Sequence, residues 1–171
     1  GVTTLRDPAG NAYPALSIDP ESIRRLPNGN VLYTSEGDVN LGINAFIREA
    51  RPDGSFVRDL PLPPGLQQTG PSGSTGIRQN LAFESLTLSN GGTTVVTATE
   101  NALKQDGPPA GVGVGSASRI ATLDAATGAA GAQYVYEVGP VAQTPVPSNG
   151  FATNGLVELL DLGGGLMLAV E

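Results

Sequence analysis

Short runs of alternating apolar and polar positions fill much of the chain, and turn residues separate them. Residues 21–36 read ESIRRLPNGNVLYTSE, residues 83–100 read FESLTLSNGGTTVVTATE, and residues 158–171 read ELLDLGGGLMLAVE. Each segment has two apolar-rich runs joined by a glycine-containing turn, and Asn-Gly and Gly-Gly supply the positive φ that tight hairpin turns require. The pattern predicts three β-hairpins and no helix longer than a turn or two.

A second kind of hairpin follows each of the first two. Residues 46–62 place a Pro-Asp-Gly turn between two strands, and residues 118–138 do the same around Ala126-Thr127-Gly128. Two hairpins make four antiparallel strands, and a repeat of four strands is typical of a β-propeller blade. The predicted fold class is therefore all-β, a single partial β-propeller across residues 1–171. Its blade-like units span about residues 16–64, 77–140 and 151–171.

The third unit ends at Glu171, after its first hairpin. A closed propeller has about four to eight blades, whereas roughly two and a half are predicted here. A partial propeller exposes unpaired strand edges and an uncovered apolar face. We therefore expect another chain, or a further segment of a longer protein, to complete the propeller.

The first hairpin of each of the three blade-like units begins and ends at or next to a glutamate. The two ends of a hairpin are neighbours, so each pair is expected to lie side by side and all six carboxylates to converge at one end of the propeller channel. Like charges that close repel unless a cation or basic side chains compensate. A flexible cluster of hard oxygen ligands favours Ca²⁺. The predicted metal ligands are Glu21, Glu36, Glu84, Glu100, Glu158 and Glu171.

The same glutamates have a purely structural interpretation, which the pattern leaves open. A glutamate at a strand end can accept hydrogen bonds from backbone N–H groups of the next blade and act as a latch. It can also be simply solvated. Repetition of the pairs favours a role tied to the architecture, but it does not choose between metal binding and latching.

Composition narrows the classes of function. The chain has 171 residues, a net charge of -7 and 15% charged residues, which argues against a nucleic-acid or anionic-membrane surface with clustered Lys and Arg. Cysteine and histidine are both absent, which excludes disulfides, thiolate and imidazole metal sites and a Ser-His-Asp triad within this chain. No apolar run reaches the length of about 18 residues needed to span a membrane.

Two motifs point to a known family. An Arg-x-Asn-x-x-Phe-Glu segment occupies residues 78–84, and a Glu-x-Ala-Leu-x-x-Asp-Gly segment follows at residues 100–107. Together with residues 18–38 and 118–128, they resemble the esterase-like phytase family, and the resemblance runs from about residue 16 to the end. It implies a bacterial, mostly exported protein with a propeller-like repeat. It also implies a hydrolase of phosphomonoesters or carboxylic esters, located in the periplasm or outside the cell.

Roles within such a hydrolase follow from the chemistry of the motif residues. Calcium held by the glutamates would bridge phosphate oxygens of a small phosphorylated or ester substrate and activate water. Arg78 and Lys104 flank the second hairpin and suit substrate phosphate, whereas Asn80 and Asp106 suit catalytic orientation of water or metal. Alternatively, Arg78 and Lys104 form plain salt bridges with the glutamates. Two rival functions stay open, a non-catalytic propeller that binds a ligand or partner and a subunit of a larger assembly.

Overall fold

The structure is a computed structural model that describes residues 3–171, and the regular secondary structure within this range is almost entirely β. Two 3₁₀ turns of three residues, Val39–Leu41 and Asn90–Gly92, are the helical segments described. The ten strands are β1 Pro20–Arg25, β2 Val31–Ser35, β3 Phe46–Ala50, β4 Phe56–Leu60, β5 Phe83–Ser89, β6 Thr94–Ala102, β7 Ser116–Asp124, β8 Ala130–Val138, β9 Glu158–Gly163 and β10 Leu166–Val170.

The strands form three antiparallel sheets in simple chain order. The first sheet has the order β1-β2-β3-β4, the second β5-β6-β7-β8, and the third contains β9 and β10. The first strands of the three sheets are neighbours, because β5 contacts both β1 and β9. The predicted fold class is confirmed: the chain forms two four-stranded blades and the inner hairpin of a third, as in a partial propeller.

The turn between β5 and β6 shows why the sequence pattern was informative. Asn90, Gly91 and Gly92 have φ angles of 52°, 67° and 89°, three consecutive residues in the left-handed region. Glycine and asparagine enter this region at low cost, whereas most other residues do not. The Asn-Gly-Gly sequence therefore fixes the position of this hairpin and the pairing of the strands beside it.

Both faces of the second sheet are covered, so β6 is buried along almost its whole length. Val95 belongs to a core cluster shared with Leu32 and Ile47 of the first sheet, while Val96 belongs to a second cluster that includes Leu159 of β9. Successive side chains of a strand point to opposite faces, so β6 contributes to both clusters. The second sheet is therefore held between the first sheet and the third hairpin.

The third hairpin keeps a large apolar surface in solvent. Leu162, Leu166 and Leu168 are 60%, 67% and 50% exposed, and β10 pairs only with β9 in the described part of the chain. Apolar side chains concentrated on one hairpin differ from the singly scattered exposed residues that are normal on protein surfaces. Separately, no helix in residues 3–171 has the length and apolar character needed to cross a membrane.

Candidate metal centre

Five carboxylates lie close together at the ends of the first two strands of the first and second sheets, where they form two overlapping groups. Ligand oxygens of Asp19, Glu21 and Glu36 all lie within 4.8 Å of one another, and those of Glu36, Glu84 and Glu100 meet the same limit. Glu36 belongs to both groups. These five residues are called the acid cluster below, and their groupings could hold a metal ion.

Register irregularities near the start of β1 and β5 coincide with the first glutamate of the first two pairs. Phe83 pairs with Thr99 and Ser85 with Ala98, so Glu84 is an extra residue in β5, a β-bulge. The register of β1 shifts in the same place, between Pro20 and Ile23, which brackets Glu21. Bulges bend a strand and redirect the side chain they carry, and they occur often beside functional sites. We infer that the two bulges direct Glu21 and Glu84 into the acid cluster.

The returning strands supply the second glutamate of each pair. Glu36 directly follows β2, and its N–H donates to the carbonyl oxygen of Asp19 at 3.0 Å. Glu100 lies near the end of β6, and its N–H donates to the carbonyl oxygen of Ala82 at 2.6 Å. These equivalent contacts bring each closing glutamate back beside the opening one, as the hairpin argument predicts for these two pairs.

Glu36 also forms a contact between blades. Its side chain is almost fully buried, and one carboxylate oxygen accepts a hydrogen bond from the N–H of Ala82, which precedes β5. This is the contact expected if Glu36 acts as a latch, a glutamate that accepts a backbone N–H from the next blade. The equivalent contact is different at Glu100, where the N–H of Leu156 donates to the main-chain oxygen at 2.9 Å and not to the carboxylate. A latch therefore accounts for one oxygen of Glu36 but not for the Glu100 carboxylate.

Glu100 is buried without a partner for its charge. Only 9% of the residue is exposed, and no donor within residues 3–171 hydrogen-bonds its carboxylate. Gly155 lies directly against it: a Cβ at residue 155 would stand 2.2 Å from the Glu100 Oε1. The four ion pairs in this part of the chain involve none of the five acids. The Glu100 carboxylate is therefore free to act as a ligand, and it belongs to one of the two acidic groups that could hold a metal ion.

Burial and mutual repulsion change the protonation of the cluster. Burial, followed by the charges of neighbouring carboxylates, raises the pKa of Glu21, Glu84 and Glu100 to about 7. Burial also raises the pKa of Glu36 to about 7, against the opposing effect of the Ala82 N–H. Without a cation, the four glutamates thus hold protons up to nearly neutral pH. A divalent cation would displace these protons and keep the carboxylates ionised.

Comparison with known proteins agrees with the sequence motifs. The family model for phytase-like proteins, described as esterase-like activity of phytase, matches residues 1–171. The chain belongs to the phytase-like family. The resemblance inferred from the motifs is confirmed, and it places the protein among esterase- or phytase-like hydrolases. No curated protein and no solved structure gives a significant match.

The third glutamate pair of this phytase-like protein does not join the cluster. Glu158 and Glu171 belong to neither acidic group in the described residues, so the fold groups four of the six glutamates with Asp19, and metal binding by Glu158 and Glu171 stays a prediction. Glu158 pairs regularly with Val170 and has no bulge at its position. Its carboxylate instead forms an ion pair with Arg24 at 2.8 Å. The third hairpin thus differs from the first two both in its regular register at Glu158 and in the ion pair of that glutamate.

Glu171 has its own set of hydrogen-bond donors. It accepts hydrogen bonds from the Tyr136 hydroxyl at 2.8 Å, the Gly139 N–H at 2.9 Å and the Asn154 amide at 2.8 Å. These bonds, first of all the one from Tyr136, hold the pKa of Glu171 below its ordinary value. Glu171 therefore connects the third hairpin of the phytase-like fold to the segment after β8.

The two predicted substrate-binding cations have backbone partners. The Arg78 guanidinium donates to the carbonyl oxygens of Ala102 and Gly107, and the Lys104 ammonium donates to the carbonyl oxygen of Gly70 at 2.8 Å. Neither forms the salt bridge to a glutamate that the sequence left open as an alternative. These contacts hold the loops around the second hairpin, and binding of substrate by Arg78 and Lys104 stays a prediction.

The two predicted catalytic residues also lie outside the acid groups. Asp106 forms a bidentate ion pair with Arg119, with N–O distances of 2.6 and 2.8 Å. Asn80 is exposed and has a φ of 53°, so it occupies a tight turn before β5. The catalytic roles of Asp106 and Asn80 stay predictions.

Two residues of the centre were not identified from the sequence. Asp19 lies two positions before Glu21, and residues two apart in an extended chain face the same side, so alternation alone could have identified it. Gly155 gave no signal, because only the folded structure shows that it borders the Glu100 carboxylate. The sequence thus identified most acids of the phytase-like centre, but it did not identify the glycine that borders them.

The raised pKa values predict how stability depends on pH in the metal-free protein. The four glutamates have an ordinary pKa of 4.5 and a folded-state pKa of about 7, so the folded state binds more protons between these values. Their contribution to the free energy of unfolding therefore falls as pH rises from about 4.5 to about 7. Urea unfolding of chelator-treated protein at pH 5 and pH 8 measures this, and added calcium should restore stability mainly at pH 8.

A glutamine variant distinguishes the contribution of the acid cluster to this pH dependence from that of other titrating groups. Glu84→Gln removes one of the coupled carboxylates, so the loss of stability between pH 5 and pH 8 should become smaller. Glu158→Gln, which lies outside the acidic groups, should keep the wild-type dependence. An identical pH dependence in wild type and Glu84→Gln would contradict the assignment of the raised pKa values.

Proposed function

We propose that this phytase-like chain binds Ca²⁺ through Glu36, Glu84 and Glu100, and that the cation serves hydrolysis of a small phosphomonoester or carboxylic ester. The observation that carries the proposal is the close grouping of these three carboxylates, whose oxygens lie within 4.8 Å of one another. Glu100 supports it most directly, because the residue is mostly buried and no donor in the described residues hydrogen-bonds its carboxylate.

The ligand set favours calcium over other divalent cations. All five acids of the cluster offer oxygen, and the chain contains no histidine or cysteine to attract zinc or copper. Calcium takes six to eight oxygen ligands at about 2.3–2.6 Å in a flexible geometry. Magnesium requires shorter bonds of about 2.0–2.1 Å and stricter octahedral geometry. A group of carboxylates from different blades suits the more tolerant ion.

The chemistry of a bound cation matches the reactions of the family. A calcium ion at the acid cluster would polarise a phosphoryl or carbonyl oxygen and lower the pKa of a bound water. The chain itself would fix the three ligands. Glu84 lies at a bulge and Glu100 near the end of β6, while Glu36 is held by its hydrogen bond from the Ala82 N–H. Arg78 and Lys104 could add affinity for phosphate only by exchanging their present carbonyl partners. The acid cluster therefore carries the proposal without them.

Export of the protein is the matching proposal for its location. The family resemblance supports the periplasm or the exterior of the cell. Extracellular calcium modules work with dissociation constants of about 10⁻⁴–10⁻³ M, so even a modest calcium site would be filled there. Separate measurement of the protein in cytoplasmic, periplasmic and medium fractions tests this.

Calcium-dependent turnover is the expected result for the full-length protein. Metal-stripped protein should release neither phosphate from inositol hexakisphosphate or p-nitrophenyl phosphate, nor p-nitrophenol from p-nitrophenyl acetate. Calcium should restore turnover of one substrate class, and magnesium should restore much less. Equal turnover in chelator and in calcium would overturn the metal mechanism. Absence of any turnover, with calcium bound, would favour a non-catalytic role.

A binding or assembly role is the second proposal, and one observation favours it. The exposed leucines of β9 and β10 leave an apolar surface beside an unpaired strand edge in the described structure. Such edges are places where another chain or a further segment adds strands. In this alternative, any calcium would only stabilise the structure. Calcium binding together with a larger assembly and no hydrolysis would support it.

A further inference from the structure

We propose that the ester hydrolysed at the acid cluster is amphipathic, and that the loops around the cluster bind its apolar group. The inference rests on the proposed function and names the substrate class of that same site. The polar end of such an ester lies at the acid cluster. Its apolar chain lies on exposed apolar side chains of the neighbouring loops.

Topology places the long loops of the sheets at the end of the fold that holds the acid cluster. The acids lie where β1 begins and β2 ends, and the antiparallel strands return to this end after every second strand. The loops at this end span residues 36–45, 61–82, 103–115 and 139–157, whereas short turns connect the strands at the opposite end. The acid cluster therefore shares its end of the fold with all four loops.

These loops carry six large apolar side chains that are exposed to solvent. They are Leu41, Val112, Val114, Val146, Phe151 and Val157, and they are called the apolar rim below. No exposed large apolar side chain in residues 3–171 lies in the turns at the opposite end. Single exposed apolar side chains are normal on a protein surface, but a set confined to the loops of one end marks a binding surface.

A buried asparagine joins two of the loops beside the acid cluster. Asn101 follows Glu100 and is fully buried. Its Oδ1 accepts the N–H of Ala110 in the loop after β6 at 2.7 Å, and its Nδ2 donates to the carbonyl oxygen of Asn154 in the loop after β8 at 3.0 Å. Five of the six side chains of the apolar rim are thus carried by loops that are tied together next to a proposed calcium ligand.

Chain connectivity limits the distance between the apolar rim and the acids. Phe151 is four residues from Gly155, which borders a carboxylate of the cluster, and Leu41 is five residues from Glu36. A chain extends at most about 3.6 Å per residue, so the Cα atoms of each pair are within about 14 Å and about 18 Å of each other. A ligand chain of several carbons that starts at the cluster can therefore contact the rim.

The charges of the same loops favour an apolar group over additional phosphates. Arg78 and Lys104 are the basic residues of the four loops, and both donate to backbone carbonyl oxygens. A substrate with several phosphates needs several basic partners, whereas an apolar chain needs only an uncharged surface. Complete burial of a methylene group increases affinity about fourfold, so an open rim that covers one side of a chain contributes about twofold.

The dependence of KM on acyl chain length tests the inference. Full-length, calcium-loaded protein is assayed with the p-nitrophenyl esters of acetate, butyrate, hexanoate and octanoate. KM should fall about twofold per added methylene. The value of kcat should change little, because a group bound equally in the ground state and the transition state changes KM alone.

Serine variants of the apolar rim connect this dependence to the loops. Phe151→Ser and Leu41→Ser should each reduce the dependence of KM on chain length. The two residues are 89% and 67% exposed, so their replacement should leave the fold intact, which thermal unfolding verifies. Val135→Ser is the matched control, because Val135 is 60% exposed but lies on β8 outside the loops, and it should keep the wild-type dependence.

The outcomes separate this inference from the proposed function. If calcium restores hydrolysis but KM is the same from acetate to octanoate, or if both rim variants keep the wild-type dependence, the inference is overturned and the proposed function survives. If no carboxylic ester is hydrolysed, release of phosphate from p-nitrophenyl phosphate decides the proposed function separately. Calorimetry with methyl phosphate and hexyl phosphate then decides the inference. Tighter binding of hexyl phosphate that Phe151→Ser removes supports the rim, and equal affinities overturn it.

Discussion

Replacement of Glu36 by glutamine is expected to remove calcium from the acid cluster and to leave the protein folded. Glu36 is one of the three proposed calcium ligands and belongs to both acidic groups, so loss of its charge affects both groups. The glutamine side-chain oxygen can still accept the Ala82 N–H, which preserves the contact between the first and second blades. We expect calcium affinity at the cluster to fall at least about 100-fold, because affinity depends on the number of charged ligands. Calorimetry measures the affinity, and hydrolysis should fall with it.

The glutamine variant also decides between a ligand and a latch. If Glu36 were only a latch, Glu36→Gln would retain calcium binding, and stability at pH 8 without calcium would stay constant or increase, since a buried charge is removed. Glu158→Gln is the control, because it removes a glutamate charge from a partly exposed ion pair at 2.8 Å. That change should cost no more than about 1 kcal/mol of stability and leave calcium affinity unaltered. Unchanged calcium affinity in folded Glu36→Gln would contradict the metal centre.

Replacement of Gly155 by alanine is expected to weaken calcium binding without removing any carboxylate. The new Cβ would lie 2.2 Å from Oε1 and 2.3 Å from Cγ of Glu100, far inside van der Waals contact. Glu100 must therefore leave its position, because the adjacent segment is anchored through the N–H of Leu156. We expect calcium affinity and turnover to fall by about tenfold or more, the order found when groups that orient metal ligands are removed.

A matched glycine controls for the effect of the substitution itself. Gly111 also lacks a positive φ, and a Cβ built there meets no atom within 4 Å. Gly111→Ala should therefore keep wild-type calcium affinity and turnover, whereas Gly155→Ala should not. Thermal unfolding of both variants with and without calcium completes the comparison. Gly155→Ala with wild-type calcium affinity would show that the position of Glu100 does not matter for binding, and the ligand assignment would then fail.

Much of the fold could be predicted from local patterns. The alternation of apolar and polar residues indicated the strands, and the Asn-Gly and Gly-Gly turns marked the hairpins, since a left-handed backbone is a local property of these residues. The repeat of two hairpins then gave the four-stranded sheets. The pairing of Glu21 with Glu36 and of Glu84 with Glu100 followed from the same logic, because the ends of a hairpin always meet.

Contacts between distant segments decided the rest. Arg78 and Lys104 were expected near substrate, yet in the fold they donate to carbonyl oxygens of neighbouring loops. Asp106 likewise forms an ion pair with Arg119 of β7. The partners of long polar side chains depend on which backbone groups packing leaves unsatisfied nearby, and sequence spacing carries no information about that.

The sequence by itself determined the strands, the turns and which glutamates close each hairpin, because these depend on backbone preferences and on the two-residue period of a strand. Only the tertiary structure decided which glutamates form a centre. Glu158 and Glu171 have the same place in their hairpin as the other pairs, but no bulge marks Glu158, and both have partners elsewhere. A bulge adds one residue to a ladder and redirects a side chain. Packing of distant segments places Gly155 against Glu100, and because glycine lacks a Cβ it leaves the space that the carboxylate occupies.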